Sequence, residues 1–377
     1  MDQENNYNDD IIFSILVCLP AVEARKLRLV CKSWYHIIKS PAFIQSHLRK
    51  AKYGLICNKE NGIDNTVHDD KILIREFNEK SKTIWSSCNG LVLLAQNVQT
   101  VKKHFLLITN PSTQEVMKLP TPYDHRDKDY SHVFGITYVA SVKKYVVVHY
   151  FILKKPHRQS LSYLSRQSLS YSSRQSLSYS SEFGCETLGL GDDKWKRVYF
   201  VHKHTGMEFF SSRKVIFIND VAHMVVLEGI QPYLISMNMI DTKHDRRRMP
   251  DNHKDLFEIG GVLSYARLCN DADFEIWSLG DFRKGDWVLH TRIKTGVNGF
   301  AGPVLATLEN GKILIATYYD YAATRQADVC YFVYDIQLKK TTYLEYKPQQ
   351  TGCRLLSHVD SLVSCIETYN QGETSAT

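Results

Sequence analysis

The first 50 residues carry apolar side chains at helical spacing, and this pattern predicts three helices. The first helix is expected to begin at Ile11, after the capping residues Asp9 and Asp10, and to end at Pro20. Its apolar stripe repeats at i, i+3, i+4 and i+7 and consists of Ile12, Ile15, Leu16 and Leu19.

A second helix is expected from about Ala21 to Ser40, and a short third one from Pro41 to Lys50. The second helix is amphipathic, and its apolar face consists of Leu27, Val30, Cys31, Trp34, Ile37 and Ile38. About 50 residues of this kind bury only a small core. The pattern therefore predicts either a helical cap on the rest of the chain or a unit that binds a partner, with Trp34 as an anchor.

From Tyr53 onward the pattern changes to the alternation that is typical of β-strands. Turn residues separate short strand candidates, and no convincing amphipathic helix lies among them. The candidates are LVLLA (91–95), FLLIT (105–109), FGITYVA (134–140), KYVVVHYF (144–151), KVIFI (214–218), HMVVLE (223–228), YLISMNMI (233–240), FEIWSL (274–279), WVLHTRI (287–293), KILIATYY (312–319) and CYFVYDI (330–336). This pattern predicts an all-β domain, either a sandwich or a propeller.

Weak internal repetition favours the propeller. Four segments share a turn with Asn or Gly that is followed by strands, and these turns begin at positions 89, 219, 260 and 310. The last three starts are 41 and 50 residues apart, close to the roughly 40 to 50 residues of a propeller blade. A less regular copy fills 134–200, and residues 53–86 and 353–366 are expected to close the ring together. We predict about six blades, with five or seven as alternatives.

One low-complexity segment interrupts the strand pattern. The octads RQSLSYLS, RQSLSYSS and RQSLSYSS follow one another over residues 158–181. Because the unit is too short for a solenoid repeat, we interpret 156–181 as an inserted loop. The alternatives are a tag that is switched by phosphoserine and a strand that binds a partner.

The charge and the cysteines limit the partners and the compartment. The net charge is +7, but residues 154–181 alone contain five basic residues and no acidic one, so we expect no nucleic-acid surface. Nine scattered cysteines without a CxxC pair favour free thiols, and hence the cytoplasm or the nucleus. No run of about 18 apolar residues exists, and the acidic start is unlike a signal peptide, so no membrane partner is expected.

No catalytic motif stands out along the chain. The sequence lacks GxSxG, GxGxxG, a Walker loop and HExxH, and no set of histidines and cysteines has the spacing of metal ligands. We therefore expect no catalytic residue, no cofactor and no metal. A propeller enzyme with a bound metal is the alternative.

The stretch DDIIFSILVCLPAVEARKLRLVCKSWYHIIKSPAFIQSHL resembles an F-box of the plant type. Three ordered motifs carry the resemblance: Leu19-Pro20, Val30-Cys31-Lys32-Ser33-Trp34 and Ser40-Pro41-Ala42-Phe43. The chain departs from the family at Tyr7-Asn8, where a Leu-Pro pair that contacts the adaptor usually stands. The resemblance implies docking to the Skp adaptor of a cullin–RING ubiquitin ligase through Ile11, Ile12, Ile15, Leu16, Leu19, Pro20, Val30, Cys31 and Trp34.

The strand region resembles the F-box-associated domain of plants, which is often likened to kelch propellers. Its marks are Asn89-Gly90-Leu91, Asn110-Pro111-Ser112-Thr113 with Leu119-Pro120, Phe134-Gly135, and Glu275-Ile276-Trp277. The predicted organisation is an F-box domain over 1–50, a propeller-like domain over 51–370 and a flexible tail over 371–377.

Together the two resemblances imply a non-catalytic substrate receptor of an SCF-type (Skp–cullin–F-box) ubiquitin ligase. The propeller would bind a target protein for ubiquitination and proteasomal degradation, and cullin and RING subunits would be partners through the adaptor. The resemblance extends to S-locus F-box proteins, some of which act on pollen-recognition ribonucleases, but it predicts no target-binding residue. A protein-binding module that acts outside degradation is the alternative.

Overall fold

A computed structural model gives the architecture of the chain. It describes residues 4–58, 65–69, 72–77, 82–98, 103–122, 129–156, 179–205, 207–209, 214–250, 253–269, 273–281, 285–294, 300–308, 311–320, 327–344 and 355–366. The chain divides into two compact units, one from Met1–Leu119 with Leu305–Thr377 and the other from Pro120–Val304. The domain boundaries expected at residues 50 and 370 stay a prediction.

Four helices, rather than three, open the first unit. They are α1 (Glu4–Leu16), α2 (Ala21–Leu27), α3 (Lys32–Lys39) and α4 (Pro41–Lys50). The prediction of one helix from Ala21 to Ser40 is wrong, because the helix stops at Leu27 and Cys31 is extended, with φ −159° and ψ 168°. The helix expected from Ile11 begins at Glu4 instead. Asn8 lies inside it, where a proline would remove a backbone donor from the helix.

A small sheet and a four-stranded meander follow the helices in the first unit. The small sheet contains β1 (Tyr53–Asn58), β2 (Asn65–Asp69) and β3 (Ile72–Phe77). The meander is antiparallel and consists of β4 (Lys82–Cys88), β5 (Leu91–Val98), β6 (Lys103–Asn110) and β7 (Glu115–Lys118). Buried residues of both sheets share one core, which contains Ile56, Ile84, Val92 and Leu94.

The second unit consists of three antiparallel sheets in chain order. The first contains β8 (Asp129–Val139), β9 (Lys144–Pro156), β10 (Tyr179–Gly189) and β11 (Lys196–Thr205). The second contains β12 (Met207–Phe209), β13 (Ile216–Ile218), β14 (Val221–Glu228), β15 (Gln231–Asn238) and β16 (His244–Arg248). The third contains β17 (His253–Ile259), β18 (Val262–Leu268), β19 (Asp273–Asp281) and β20 (Asp286–Lys294).

The last strands form one more meander and complete the small sheet. The meander consists of β21 (Phe300–Leu308), β22 (Lys312–Asp320), β23 (Ala327–Asp335) and β24 (Lys340–Leu344). The final strand, β25 (Leu356–Val359), pairs antiparallel with β1, so that Tyr53 lies opposite Val359. On its other side β1 pairs with β3, and this pair is parallel.

The strand region is a propeller of five blades, each a sheet of four or five strands, while the sixth sheet joins β1 to β25. The prediction of an all-β propeller with five to seven blades is therefore confirmed. Each of the eleven strand candidates overlaps an observed strand. β1 and β25 pair with each other, but residues 82–86 belong to β4 in the first blade, so only part of the 53–86 range shares a sheet with the end of the chain. Closure of the ring by these two ranges stays a prediction.

Tight hairpin turns lie at the predicted repeat starts. Asn89-Gly90 joins β4 to β5, Asn219-Asp220 joins β13 to β14, and Gly260-Gly261 joins β17 to β18. All six residues have positive φ, between 48° and 85°, as a type I′ turn requires. The repetition in the sequence therefore reflects a backbone requirement that recurs at the same place in several blades.

Two predictions fall on residues outside the described ranges. These are the octad repeats, of which residues 157–178 are not described, and the tail at 371–377. Pro156 belongs to β9 and residues 179–181, the end of the last octad, belong to β10, so the prediction that these residues are part of the inserted loop is wrong. Residues 157–178 connect these two adjacent strands of one blade.

Substituting Gly90 with alanine should destabilise the protein more than the same change at Gly261. Both glycines are second residues of two-residue turns, with φ 85° and 80°. Backbone strain of about 1–3 kcal/mol is therefore common to both variants. A Cβ at Gly90 would lie 2.1 Å from Ser361 Oγ, whereas nothing lies within 4 Å of a Cβ at Gly261. Urea denaturation should show a further loss of about 1–3 kcal/mol for Gly90→Ala. Equal losses would contradict the close packing against Ser361.

Candidate functional site

The four helices of the first unit enclose a small apolar core. Its buried residues from the helices and the segment that joins α1 to α2 are Leu16, Val17, Ala21, Ala24, Ile38 and Phe43. Phe13 packs edge-on against Phe43, with the ring centroids 5.1 Å apart. Ser33 Oγ donates a hydrogen bond of 3.0 Å to Asp9 Oδ1 and so ties the start of α3 to α1.

The segment between α2 and α3 turns apolar side chains toward solvent. Short-range backbone bonds close the turn, from Leu29 N to Lys26 O (3.1 Å) and from Val30 N to Leu27 O (3.2 Å). Leu29 is 90% exposed and Val30 is 59% exposed. The end of α2 at Leu27 therefore exposes Val30, which a continuous amphipathic helix would have placed on the apolar face.

The structure separates the nine predicted adaptor contacts into three groups. Ile11 and Ile15, one turn apart on α1, are 60% and 61% exposed, and the other exposed members are Pro20, Val30 and Cys31. Three residues are half-buried against the helix core, namely Ile12, Leu19 and Trp34. Leu16 is 1% exposed, so its side chain packs inside the helices and is not accessible to a partner.

Two exposed apolar residues were missed by the sequence prediction. Neither Leu29 nor Tyr35, which is 43% exposed, was on the apolar face predicted for the second helix. The sequence feature that could have indicated exposed apolar residues here is the run Leu27 to Val30. Three of its four residues are apolar, which is more than one helix face can hold. The exposed apolar set of the helices thus comprises Ile11, Ile15, Leu29, Val30 and Tyr35.

The last described residues of the chain complete the helix core from outside. Leu362, only 1% exposed, packs in the same cluster as the buried residues of the helices. It belongs to the C-terminal segment (residues 358–365), which begins with the last two residues of β25 and is largely buried. The helices are therefore not closed by their own residues alone.

The first blade holds this C-terminal segment through the side chain of Asn110. The fully buried Asn110 amide donates to Val363 O at 2.7 Å and to Ser361 O at 3.1 Å. Its own Oδ1 accepts from the backbone N–H of Ser112 at 2.9 Å. Ser361 Oγ in turn donates to Asn89 O at 2.6 Å. Two of the motifs that resemble the F-box-associated domain therefore meet at the C-terminal segment.

Further polar contacts join the same three parts of the first unit. Arg25 Nη1 on α2 donates to Thr113 O in the turn between β6 and β7, at 2.9 Å. Ser112 Oγ donates to Asp360 Oδ1 at 3.0 Å, and the backbone N–H of Cys365 donates to Glu115 Oε2 at 3.0 Å. These contacts fix the helices, the first blade and the C-terminal segment to one another.

His47 on α4 is the buried histidine of the helices. It stacks on Phe43 with ring centroids 6.0 Å apart, and its Nε2 lies 2.8 Å from Leu19 O. The carbonyl needs a donor, so Nε2 carries the proton, and among the described residues Nδ1 has no hydrogen-bond partner. Burial lowers the pKa of His47 from 6.5, against the opposing effects of the Leu19 carbonyl and Asp360. The ring is therefore neutral at pH 7.

The other marks of the F-box-associated resemblance are packing residues of the second unit. A Cβ at Gly135 would lie 2.7 Å from the ring of Phe217, so only glycine fits against that ring. Glu275 accepts hydrogen bonds from Trp277 Nε1 at 3.1 Å and from Arg292 Nε at 3.0 Å. These contacts hold neighbouring strands together.

One buried ionisable pair lies inside the first sheet of the second unit. His149 Nδ1 is 2.7 Å from Glu186 Oε1, and both side chains are almost fully enclosed. The ring of Phe134 stacks on His149, with centroids 4.2 Å apart. Burial lowers the pKa of His149. Because solvent does not reach the pair, its evident role is to join β9 to β10.

No group of three or more His, Cys, Asp or Glu side chains among the described residues is arranged to hold a metal ion. No helix in that part of the chain is long and apolar enough to cross a membrane.

Comparison with known families finds an F-box domain at residues 8–46, which covers all or most of each of the four helices. The chain therefore contains an F-box domain and a β-propeller domain. F-box domains generally bind Skp1-type adaptors, and F-box proteins are typically non-catalytic. The exposed apolar set therefore lies on the domain that docks an adaptor in this class of protein.

Plant proteins are similar to this chain, one over most of its length and another over about a third of it. An F-box protein of Arabidopsis thaliana is 23% identical over 343 residues, which is 83% of this chain and 86% of the relative. A putative F-box/kelch-repeat protein of the same plant is 28% identical over 136 residues, or 32% of this chain and 34% of the relative. The first likeness covers most of both chains.

Solved structures resemble the chain more distantly. TolB from Acinetobacter baumannii aligns with 88% of this chain and 71% of its own, at 8% identity and a TM-score of 0.43. A chain of a nidogen/laminin complex aligns with 82% of this chain and 99% of its own, at 9% identity and a TM-score of 0.44. No functional conclusion rests on similarities of this size.

Acidification should destabilise the folded F-box through protonation of His47. Its pKa is below 6.5 in the folded chain and near 6.5 in the unfolded chain, so below pH 6.5 the unfolded state binds the extra proton. The free energy of unfolding should therefore fall as the pH is lowered from 7.5 to 5. The His47→Gln variant should lack the part of this fall that protonation of His47 causes. Denaturation of the wild-type protein and the His47→Gln variant across this range measures the difference, in which the contributions of the histidines that both proteins share cancel. Parallel pH profiles would contradict the prediction.

Proposed function

We propose that the chain is the substrate-recognition subunit of an SCF-type ubiquitin ligase. The F-box docks a Skp-type adaptor and, through it, the cullin and RING subunits, and the propeller binds a target protein that is then ubiquitinated and degraded by the proteasome. The observation that carries the proposal is the exposed apolar set on the F-box. We place this activity in the cytoplasm or the nucleus.

The exposed apolar set has the character of a binding surface. Five large apolar side chains are exposed within residues 11–35, on a unit whose core is small. Soluble proteins scatter single apolar residues over their surface, whereas a concentration of them marks a site of association. Ile11, Ile15 and Val30 also belong to the residues that the F-box resemblance assigns to the adaptor. Two independent lines of reasoning therefore select the same side chains.

The contribution of this subunit to ubiquitination is proximity. The ubiquitin-loaded enzyme belongs to other subunits, and a receptor that holds the target beside it raises the effective concentration of target lysines. This role needs two binding surfaces and a fixed connection between them. It needs no acid, base or nucleophile from the chain itself.

The target surface is proposed to lie on the propeller blades, at the ends of the strands opposite the tight turns. In the first blade the turn 111–114 faces the F-box through Arg25, and the turn 89–90 contacts the C-terminal segment. Because β5 and β6 are antiparallel, the turn before β5 and the turn after β6 lie at the same end of the sheet. The opposite ends of β5 and β6, at Val98 and Lys103, lie a full strand length away from these two turns.

Charged substitutions in the exposed apolar set should strongly weaken docking of the adaptor. Ile15→Asp and Val30→Asp each put a carboxylate into an apolar interface, and we expect adaptor affinity to fall about 30-fold or more, or about 2 kcal/mol. Titration calorimetry of the full chain with a plant Skp-type adaptor measures the affinity. Trp34→Ala is less informative, because Trp34 also packs on the helix core.

Matched controls come from the second unit of the same chain. Ile230 in the turn between β14 and β15 is exposed, and so is Val288 on β20. Ile230→Asp and Val288→Asp should leave adaptor affinity unchanged. Equal affinity of Ile15→Asp and the wild-type chain would rule out the proposed docking surface. Binding of the adaptor without assembly of cullin and RING subunits would instead favour a non-degradative binding module.

A further inference from the structure

We propose that the C-terminal segment controls adaptor docking, so that the F-box is complete only when the last strand has closed the small sheet. The inference rests on the proposed function, because it concerns the same docking event. It assigns a role to residues 358–365, which lie more than 300 positions from the F-box in the sequence and outside its docking surface.

The first step is the composition of the helix core. Leu362 is as deeply buried as Leu16, and it packs in one cluster with Ala21, Ala24 and Phe43. Removing such a side chain leaves a cavity that the surrounding residues fill only in part. The packing that holds α1, α2 and α4 together therefore includes a residue from the far end of the chain.

Second, the hydrogen bonds around Leu362 join the C-terminal segment to the first blade. The residues on either side of it, Ser361 and Val363, accept hydrogen bonds from Asn110 of the first blade through their carbonyl oxygens. Cys365 donates its backbone N–H to Glu115 of the same blade. These hydrogen bonds, which hold the residues around Leu362 in position, therefore come from the propeller.

The third step is the order of the chain. α4 ends at Lys50 and β1 begins at Tyr53, while β25 ends at Val359, directly opposite Tyr53. Closure of the small sheet therefore brings the C-terminal segment to the end of α4. The segment is also made after the F-box and all five blades during synthesis, so a chain that lacks it has an incomplete F-box core.

The energetic consequence is a coupling between two distant parts of the chain. When only a fraction of the chains is competent to bind, the apparent dissociation constant rises by the inverse of that fraction. Coupling is reciprocal, so adaptor binding must also stabilise the C-terminal segment in its closed position. Adaptor docking would thus be restricted to chains whose propeller is complete.

The first test uses the wild-type full chain and hydrogen exchange. Saturation with the adaptor should slow exchange at the amides of Val363 and Cys365 by about fivefold or more, although neither residue belongs to the exposed apolar set. Exchange at the turn residue Lys339 of the blade formed by β21–β24 serves as the reference and should not change. Unchanged exchange at Val363 and Cys365 under saturation overturns the proposal.

The second test uses substitutions at Leu362. Leu362→Ala should raise the apparent dissociation constant for the adaptor about tenfold or more, and Leu362→Met, which keeps most of the volume, should restore it. Leu338→Ala is the matched control, because Leu338 is exposed in the turn between β23 and β24. Wild-type affinity of Leu362→Ala overturns the proposal.

The two proposals fail in different ways. If Ile15→Asp abolishes adaptor binding while Leu362→Ala preserves it, the docking surface stands and the control by the C-terminal segment is wrong. If the wild-type chain does not bind the adaptor at all, both proposals are wrong.

Discussion

The fold depends on one buried side chain, that of Asn110. Its amide donates to the carbonyl oxygens of residues 361 and 363, and its oxygen accepts from the Ser112 amide, so every polar atom of the side chain is used. Leaving a buried carbonyl without its donor costs about 1–3 kcal/mol, so these groups are stable only together. Because Leu362 stands between the two carbonyls, the bonds that satisfy Asn110 also place an apolar side chain in the core of the F-box.

The strands and their turns could be predicted because the rules that decide them are local. A strand such as LVLLA in β5 follows from its apolar run, and a turn such as Asn89-Gly90 follows from two residues that tolerate positive φ. The division between α2 and α3 could not be predicted in this way. Leu27, Val30, Trp34 and Ile38 fit one helical face whether or not the helix is continuous. Contacts between helices, such as that of Ser33 with Asp9, decide the matter, and local pattern does not encode them.

The residues of the candidate site were still harder to predict from the local sequence pattern. The apolar stripe of α1 predicted Ile15 and Leu16 as equivalent contacts, yet one is exposed and the other is in the core. A stripe shows which residues avoid water, but not which of them are covered by the protein itself. That covering comes partly from Leu362, far away in the sequence. The asparagine motif at 110–113 was recognised from the sequence, while its partners at 361–363 could be identified only once the chain was folded.

Because part of the helix core is covered by residues from outside the helices, so small a helical unit can leave apolar residues exposed for a partner. About 40 residues do not bury enough surface to be stable alone, and exposing several large side chains reduces that surface further. Here Leu362 and the contact from Arg25 to Thr113 supply packing and hydrogen bonding from outside the helices. The stability of the helices therefore does not depend on covering Ile11, Ile15 and Val30. The propeller stabilises one side of the F-box and leaves these residues accessible to an adaptor.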